Sequence, residues 1–136
     1  MGNALYDKGR EGFLDGSINW ASDTIKAVLI DAAAYTVDLA NHQYLSSVPP
    51  GARVGTPQTL ASKTVTNGVA DAADITIPSV PLHDPCEAIL IYQDTGDEAT
   101  SRLIAYIDSA SGLPVTPNGG DIAVAWDNGS NKIAKL

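Results

Sequence analysis

AILIYQDTGDEATSRLIAYID, residues 88–108, sets the fold class. Its two apolar runs, 88–94 and 102–108, flank a break at Thr95, Gly96, Asp97 and Glu98. Neither run alternates apolar with polar residues, so both faces are expected to be covered, as in a central strand. TIKAVLID (24–31) reads the same way, with a single lysine. DIAVAWD (121–127) instead alternates large Ile122, Val124 and Trp126 with small Ala123 and Ala125. That pattern predicts one buried face and places Trp126 in the core. KIAKL (132–136), KTVT (63–66) and ADITIPSV (73–80) are weaker strands, and Pro78 marks a sheet edge or a strand end.

Asn67-Gly68, Asn118-Gly119 and Asn128-Gly129 are hairpin signals, because type I′ turns need positive φ at both central residues. The last predicts that DIAVAWD and KIAKL pair directly. Residues 4–14 are predicted as a short helix, with Asn3 as its cap and Leu5, Gly9 and Phe13 on one face. Gly9 and Gly12 each cost roughly 1 kcal/mol there, so the helix needs a surface to lie on. Gly16 and Ser17 end it. Residues 31–59 are harder to read, and predict a short helix over 39–45 followed by an extended loop through Pro49 and Pro50. Long irregular segments in compact domains are often functional or interfacial. The expected fold is therefore all-β: an antiparallel β-sandwich, jelly-roll-like, with a short N-terminal helix. The expected division is an N-terminal helical arm over 1–21 and a single β-sandwich domain over 22–136.

At 136 residues and 44% hydrophobic content, the chain can bury a real core. A single cysteine, Cys86, excludes an intrachain disulfide. The net charge of -8 disfavours binding to nucleic acid, and no basic run offsets it. No apolar run approaches the ~18 residues of a membrane span, and the first sixteen residues carry charges throughout, so synthesis in the cytoplasm is expected.

Chemistry-bearing motifs are sparse. His83 and Cys86 have zinc-like spacing, but only one further His and no further Cys exist to complete a site. Asp94, Asp97 and Glu98 could suit a hard cation, yet lack the EF-hand spacing, and the bland reading is a solvated turn. No nucleophile elbow and no phosphate-binding loop occur. No metal, no cofactor and no catalytic residue are expected.

The phrases NALYDKGREGFLDGSINW (3–20), LANHQYLSSVPPGARVG (39–55) and TSRLIAYIDSASGLPVTPNGGDIAVAWDNG (100–129) together resemble small virion proteins of tailed bacteriophages. The resemblance spans nearly the whole chain. In short-tailed phages, proteins of this size include capsid cement, or decoration, proteins. The resemblance implies a β-rich, jelly-roll-like fold, a homo-oligomer and a place on the capsid surface. It also implies that the chain bridges subunits of the major capsid protein, its expected partner. It supplies no catalytic residues.

A cement protein needs a rigid body and segments that reach its neighbours. Two segments fit: one carrying Leu5, Tyr6, Phe13 and Trp20, the other carrying Tyr44, Pro49, Pro50 and Arg53. The prolines lower the ordering entropy of a docking loop, and Arg53 suits a carboxylate on the partner. The competing reading is that both segments simply cover the sheets of their own domain. Trp20 likewise either pins the N-terminal segment to the sheets, the preferred reading, or anchors a partner. Two further functions stay open. One is a tail- or fibre-associated module recognising a host glycan through Tyr35, Tyr44 and Tyr92. The other is a small enzyme acting on cell-wall sugars.

Overall fold

A computed structural model describes residues 4–108, 113–126 and 133–135. The three apolar runs become the centre of the molecule. They form β2 (Ile25–Ile30), β7 (Ala88–Gln93) and β8 (Leu103–Ile107). β1 (Ala4–Leu5) and β3 (Arg53–Thr59) complete a five-stranded antiparallel sheet in the order β1-β8-β7-β2-β3. β4 (Thr64–Thr66), β5 (Val69–Asp71) and β10 (Ala134–Lys135) form a three-stranded sheet, ordered β10-β5-β4. β6 (Ile75–Ile77) pairs with β9 (Ile122–Val124). The chain is thus mostly β-strand in antiparallel sheets, with one short helix, α1 (Asp7–Asp15).

Both faces of the central sheet are buried, as the unbroken apolar runs require. One face carries Ile25, Ala27, Leu29, Ile89, Ile91 and Ile107, and packs against Trp20, β6, β9 and Trp126. The other carries Val28, Ile30, Leu90, Tyr92, Leu103 and Tyr106. Its cover is the irregular segment after β2, through Tyr35, Leu45, Val48 and Ala52. A register shift beside Ile91 and Tyr92 places consecutive residues Ile104 and Ala105 on the same face.

Several local expectations hold. Asn67-Gly68 joins β4 to β5 with both residues at positive φ, 53° and 78°. Pro78 ends β6, and Gly16 ends α1. Others need correction. The helix begins at Asp7, because Ala4 and Leu5 pair with Tyr106 and Ala105 instead. Its cap position is Tyr6, with no side-chain cap bond; Asn3 lies outside the described residues. No helix forms over 39–45. There, Asp38 Oδ1 accepts the amides of Ala40 and Asn41, Tyr44 bridges Arg102, and a 3₁₀ turn begins only at Leu45. The expected loop over 53–59 is instead strand β3, with a bulge opposite Ala27 and Leu29 that accommodates Gly55 and Pro57.

β9 and β10 do not pair with each other: β9 pairs with β6 and β10 with β5. Ile75, Ile77, Ile122 and Val124 of the β6–β9 pair join the core on one face of the large sheet, and Ala70 and Ala134 of the β5–β10 pair pack against it. The turn at Asn128-Gly129 lies outside the described residues. Asn118-Gly119 does not close a two-strand hairpin either. Val80 and the backbone at Gly119 and Gly120 exchange hydrogen bonds of 2.7 and 3.0 Å there.

The segment set apart as an arm is stitched to the central sheet. β1 extends that sheet, and α1 lies directly on β8. A Cβ at Gly9 would sit 2.8 Å from the Leu103 carbonyl oxygen and 3.0 Å from that of Ile104. Gly9 therefore sacrifices helix propensity to permit close packing. Gly9→Ala should destabilise the protein by about 1–3 kcal/mol despite that propensity gain. Gly51→Ala, where a Cβ meets nothing within 4 Å, should stay within about 0.5 kcal/mol of the parent. Urea unfolding of the two variants measures the contrast.

Candidate functional site

Three of the eight sequence-predicted site residues meet in one place. Leu5, Phe13 and Trp20 line an apolar groove of about 310 Å³. Its opposite wall is Val65 of β4 with Ala70 of β5 and Ala134 of β10. Trp20 holds the two walls in register, because its indole Nε1 donates to the Asp71 carbonyl oxygen at the end of β5 (3.3 Å). The turn carrying Trp20 is itself closed by Asn19. The Asn19 Oδ1 accepts the amides of Ala21 and Ser22, and its amide donates to Asp23 Oδ2 (2.7 Å). Lys63, just before β4, donates to the Asp23 carbonyl oxygen and ties the same two regions together.

Trp20 and Leu5 are 5% and 6% exposed, so they form the floor of the groove, and Phe13 is half-buried beside them. Val65, at 60%, is the exposed large apolar side chain of the groove. Sequence reading missed Val65, Ala70 and Ala134. No periodicity links them to the N-terminal segment, and only the pairing of β4, β5 and β10 brings them opposite it.

The other candidates sit elsewhere. Tyr6 points through to the second face of the sheet. Its hydroxyl bonds Tyr35 Oη (2.8 Å), which bonds His42 Nδ1 (2.8 Å), and the Tyr35 and His42 rings stack at 5.5 Å. A buried hydroxyl needs such a partner, and this chain carries the Tyr6 hydroxyl out to the half-buried His42. Tyr44 is half-buried, with the Arg102 guanidinium 5.8 Å from its ring centroid. Pro49 and Pro50 are exposed, and Pro50 opens a 3₁₀ turn leading into β3. Arg53 is committed within its own chain, donating to the Val48 carbonyl oxygen and pairing with Glu98 (3.0 Å).

The segment around Tyr44 is likewise tied to the β7–β8 loop. The Leu45 amide donates to the Ser101 carbonyl and the Ser46 amide to that of Glu98. Of the three tyrosines considered as candidates for glycan recognition, Tyr35 and Tyr92 are buried in the second core, apart from Tyr44.

The acidic turn after β7 diverges. Asp94 pairs with Lys26 (3.0 Å), Glu98 with Arg53, and Asp97 Oδ1 accepts the Ala99 amide. The Gly96 amide, and then Lys26, hold the Asp94 carboxyl below its usual range. Among the described residues no three His, Cys, Asp or Glu side chains gather as metal ligands would. Cys86 is fully buried, and its sulfur lies 3.5 Å from the Asp84 carbonyl oxygen. No protein-family model matches the chain, and no curated protein matches it.

Burial gives the core a definite response to alkali. It pushes the Cys86 thiol up to about 12, with Asp31, Glu87 and Asp84 adding to the effect. It also pushes the Tyr92 phenol up to about 12, with Asp94 adding and Arg53 opposing. Both groups are neutral when folded, whereas the unfolded chain ionises from about pH 8.5 for the thiol and about pH 10 for the phenol. The folded state therefore binds more protons above those values. Stability is intact below them and falls as pH rises towards 12, by up to about 1.4 kcal/mol per pH unit per group. The thermal midpoint should drop between pH 8 and pH 11, and Cys86→Ala should remove part of that drop. Thiol reagents should label Cys86 only on unfolding.

Proposed function

We propose that the chain is a structural protein of the tailed-phage virion, a capsid cement protein that binds and bridges subunits of the major capsid protein. The observation that carries this reading is the groove. Leu5, Phe13 and Trp20, all within the first phrase of the resemblance, converge on one open apolar cleft beside a doubly covered sheet. Apolar clefts with an aromatic floor are where binding energy concentrates in protein contacts. The rigid sheet lets the groove present its walls without ordering them on docking, which lowers the entropic cost of association. The resemblance, which runs through nearly the whole chain, supports the same role. So does the net charge of -8, which favours solubility at high copy number.

On this reading the protein sits on the capsid surface as a homo-oligomer, after synthesis in the host cytoplasm. Its sheets belong to a sandwich of the jelly-roll type, and it works without a cofactor, a metal or enzymatic turnover. Neither nucleic acid nor membrane is its partner.

Purified particles test the proposal. Mass spectrometry of virions should find the chain at a high, fixed ratio to the major capsid protein, and a particle map should place it on the head. Heads lacking it should release their genome at a lower temperature. Absence from mature particles, or a location confined to the tail, would show that it does not cement the capsid.

A further inference from the structure

We infer that the groove and the outer edge of β4 together form a strand-addition site. Its occupant is an extended segment of a different protein, carrying one bulky apolar side chain and basic flanks. This deepens the reading of the chain as a partner-binding virion protein and rests on it.

The backbone register decides which groups are on offer. In the β4–β5 hairpin, Thr66 pairs with Val69 next to the two-residue turn, Val65 with Ala70, and Thr64 with Asp71. Antiparallel ladders alternate hydrogen-bonded and non-hydrogen-bonded pairs, and the pair flanking a two-residue turn is hydrogen-bonded. Thr64 and Thr66 therefore bond inward to β5. The N–H and C=O of Val65 point outward, to an edge that no other strand among the described residues covers. The side chains of Val65 and Ala70 share one face of this hairpin, and both line the groove. An added strand would exchange two backbone bonds with Val65. Its side chain on the same face would then drop between Val65 and the floor made by Leu5, Phe13 and Trp20. Backbone bonds supply affinity and the pocket supplies selectivity, as in other strand-addition sites.

Size selects this occupant over a second copy, and charge selects its basic flanks. A three-residue edge with one cleft beside it can seat a short extended segment, whereas a stable pair of folded proteins buries roughly 1,600 Å² in all, with about 20–30 residues on each side. The chain's net charge of -8 attracts lysines flanking a foreign segment.

The test uses the full chain labelled with ¹⁵N and two capped peptides, KTVLVTK and KTVGVTK. The leucine peptide should shift the Val65 amide and the Trp20 indole N–H, and should slow exchange of the Val65 amide. The glycine peptide should bind at least ten-fold more weakly. Val65→Pro removes the outward donor but leaves the bonds through Thr64 and Thr66, so it should abolish binding. Val65→Asp, which keeps the backbone donor but places a charge at the groove, should abolish it too and covers the case in which the proline variant unfolds. No shift at Val65 and Trp20, or equal binding by the folded variants, overturns the strand-addition site. Equal binding by the two peptides overturns the role of the groove. The same variants added to capsids stripped of the protein separate the two claims. If parent and variants bind capsids equally, cementing stands and this site falls. If the parent ignores capsids yet binds the leucine peptide at Val65, the site stands and cementing falls.

Discussion

One sheet with two apolar faces is the constraint on which the rest of the chain depends. In β7, every side chain from Ala88 to Tyr92 is at most 4% exposed, and β2 and β8 flank it with runs of the same kind. Neither face can be left to water. Burial of this kind is worth roughly 25 cal/mol per Å² of apolar surface, and it is the main force available to a chain without disulfides. The two faces are covered by different means. Small sheets and two tryptophans close one, while an irregular segment held by backbone bonds to the β7–β8 loop closes the other. The long loop-like stretch after β2 is thus a structural cover, and its polar anchors, Arg53 to Glu98 and Leu45 to Ser101, lie at its margins.

The same constraint shapes the N-terminal segment. β1 extends the sheet beyond β8, and Gly9 of α1 rests on the β8 backbone, while Gly12 meets the Ile18 side chain. Helix, strand and the Trp20 turn then leave a wedge between the large sheet and the three-stranded sheet. Across that wedge stand the small side chains of Ala70 in β5 and Ala134 in β10, with Val65 of β4 beside them. The groove is a consequence of how the sheet is covered, and its floor residues Leu5 and Trp20 belong to the core.

Much of the fold was legible because it follows from local pattern. β2, β7 and β8 announce themselves as unbroken apolar runs, Trp126 by its alternation with Ile122 and Val124, and the β4–β5 hairpin by Asn67-Gly68. Illegible features were those set by distant partners. β3 is hidden by Gly55 and Pro57, which weaken any strand signal but fit a bulged edge. The stretch at 39–45 has helical composition, but Asp38 and the bridge to Arg102 capture its backbone first. β9 and β10 have a strong turn signal between them, yet each finds a longer-range strand to pair with. The candidate site divides the same way. Leu5, Phe13 and Trp20 were recognisable as apolar anchors, whereas Val65 looked like an ordinary residue of a weak strand. The Tyr6–Tyr35–His42 chain joins residues 29 and 7 positions apart, a spacing that no periodicity predicts.

Native-state hydrogen exchange tests most directly the claim that a doubly buried sheet is the rigid body behind the groove. Amides of Leu90 and Ile91, at the centre of that sheet, should exchange only through global unfolding, with a free energy equal to that from denaturant melting. The Val65 amide, on the open edge, should exchange many orders of magnitude faster in the free protein. Exchange of Leu90 and Ile91 at rates like those of β4 and β5 would contradict the account, because the sheet could not then hold the groove in place.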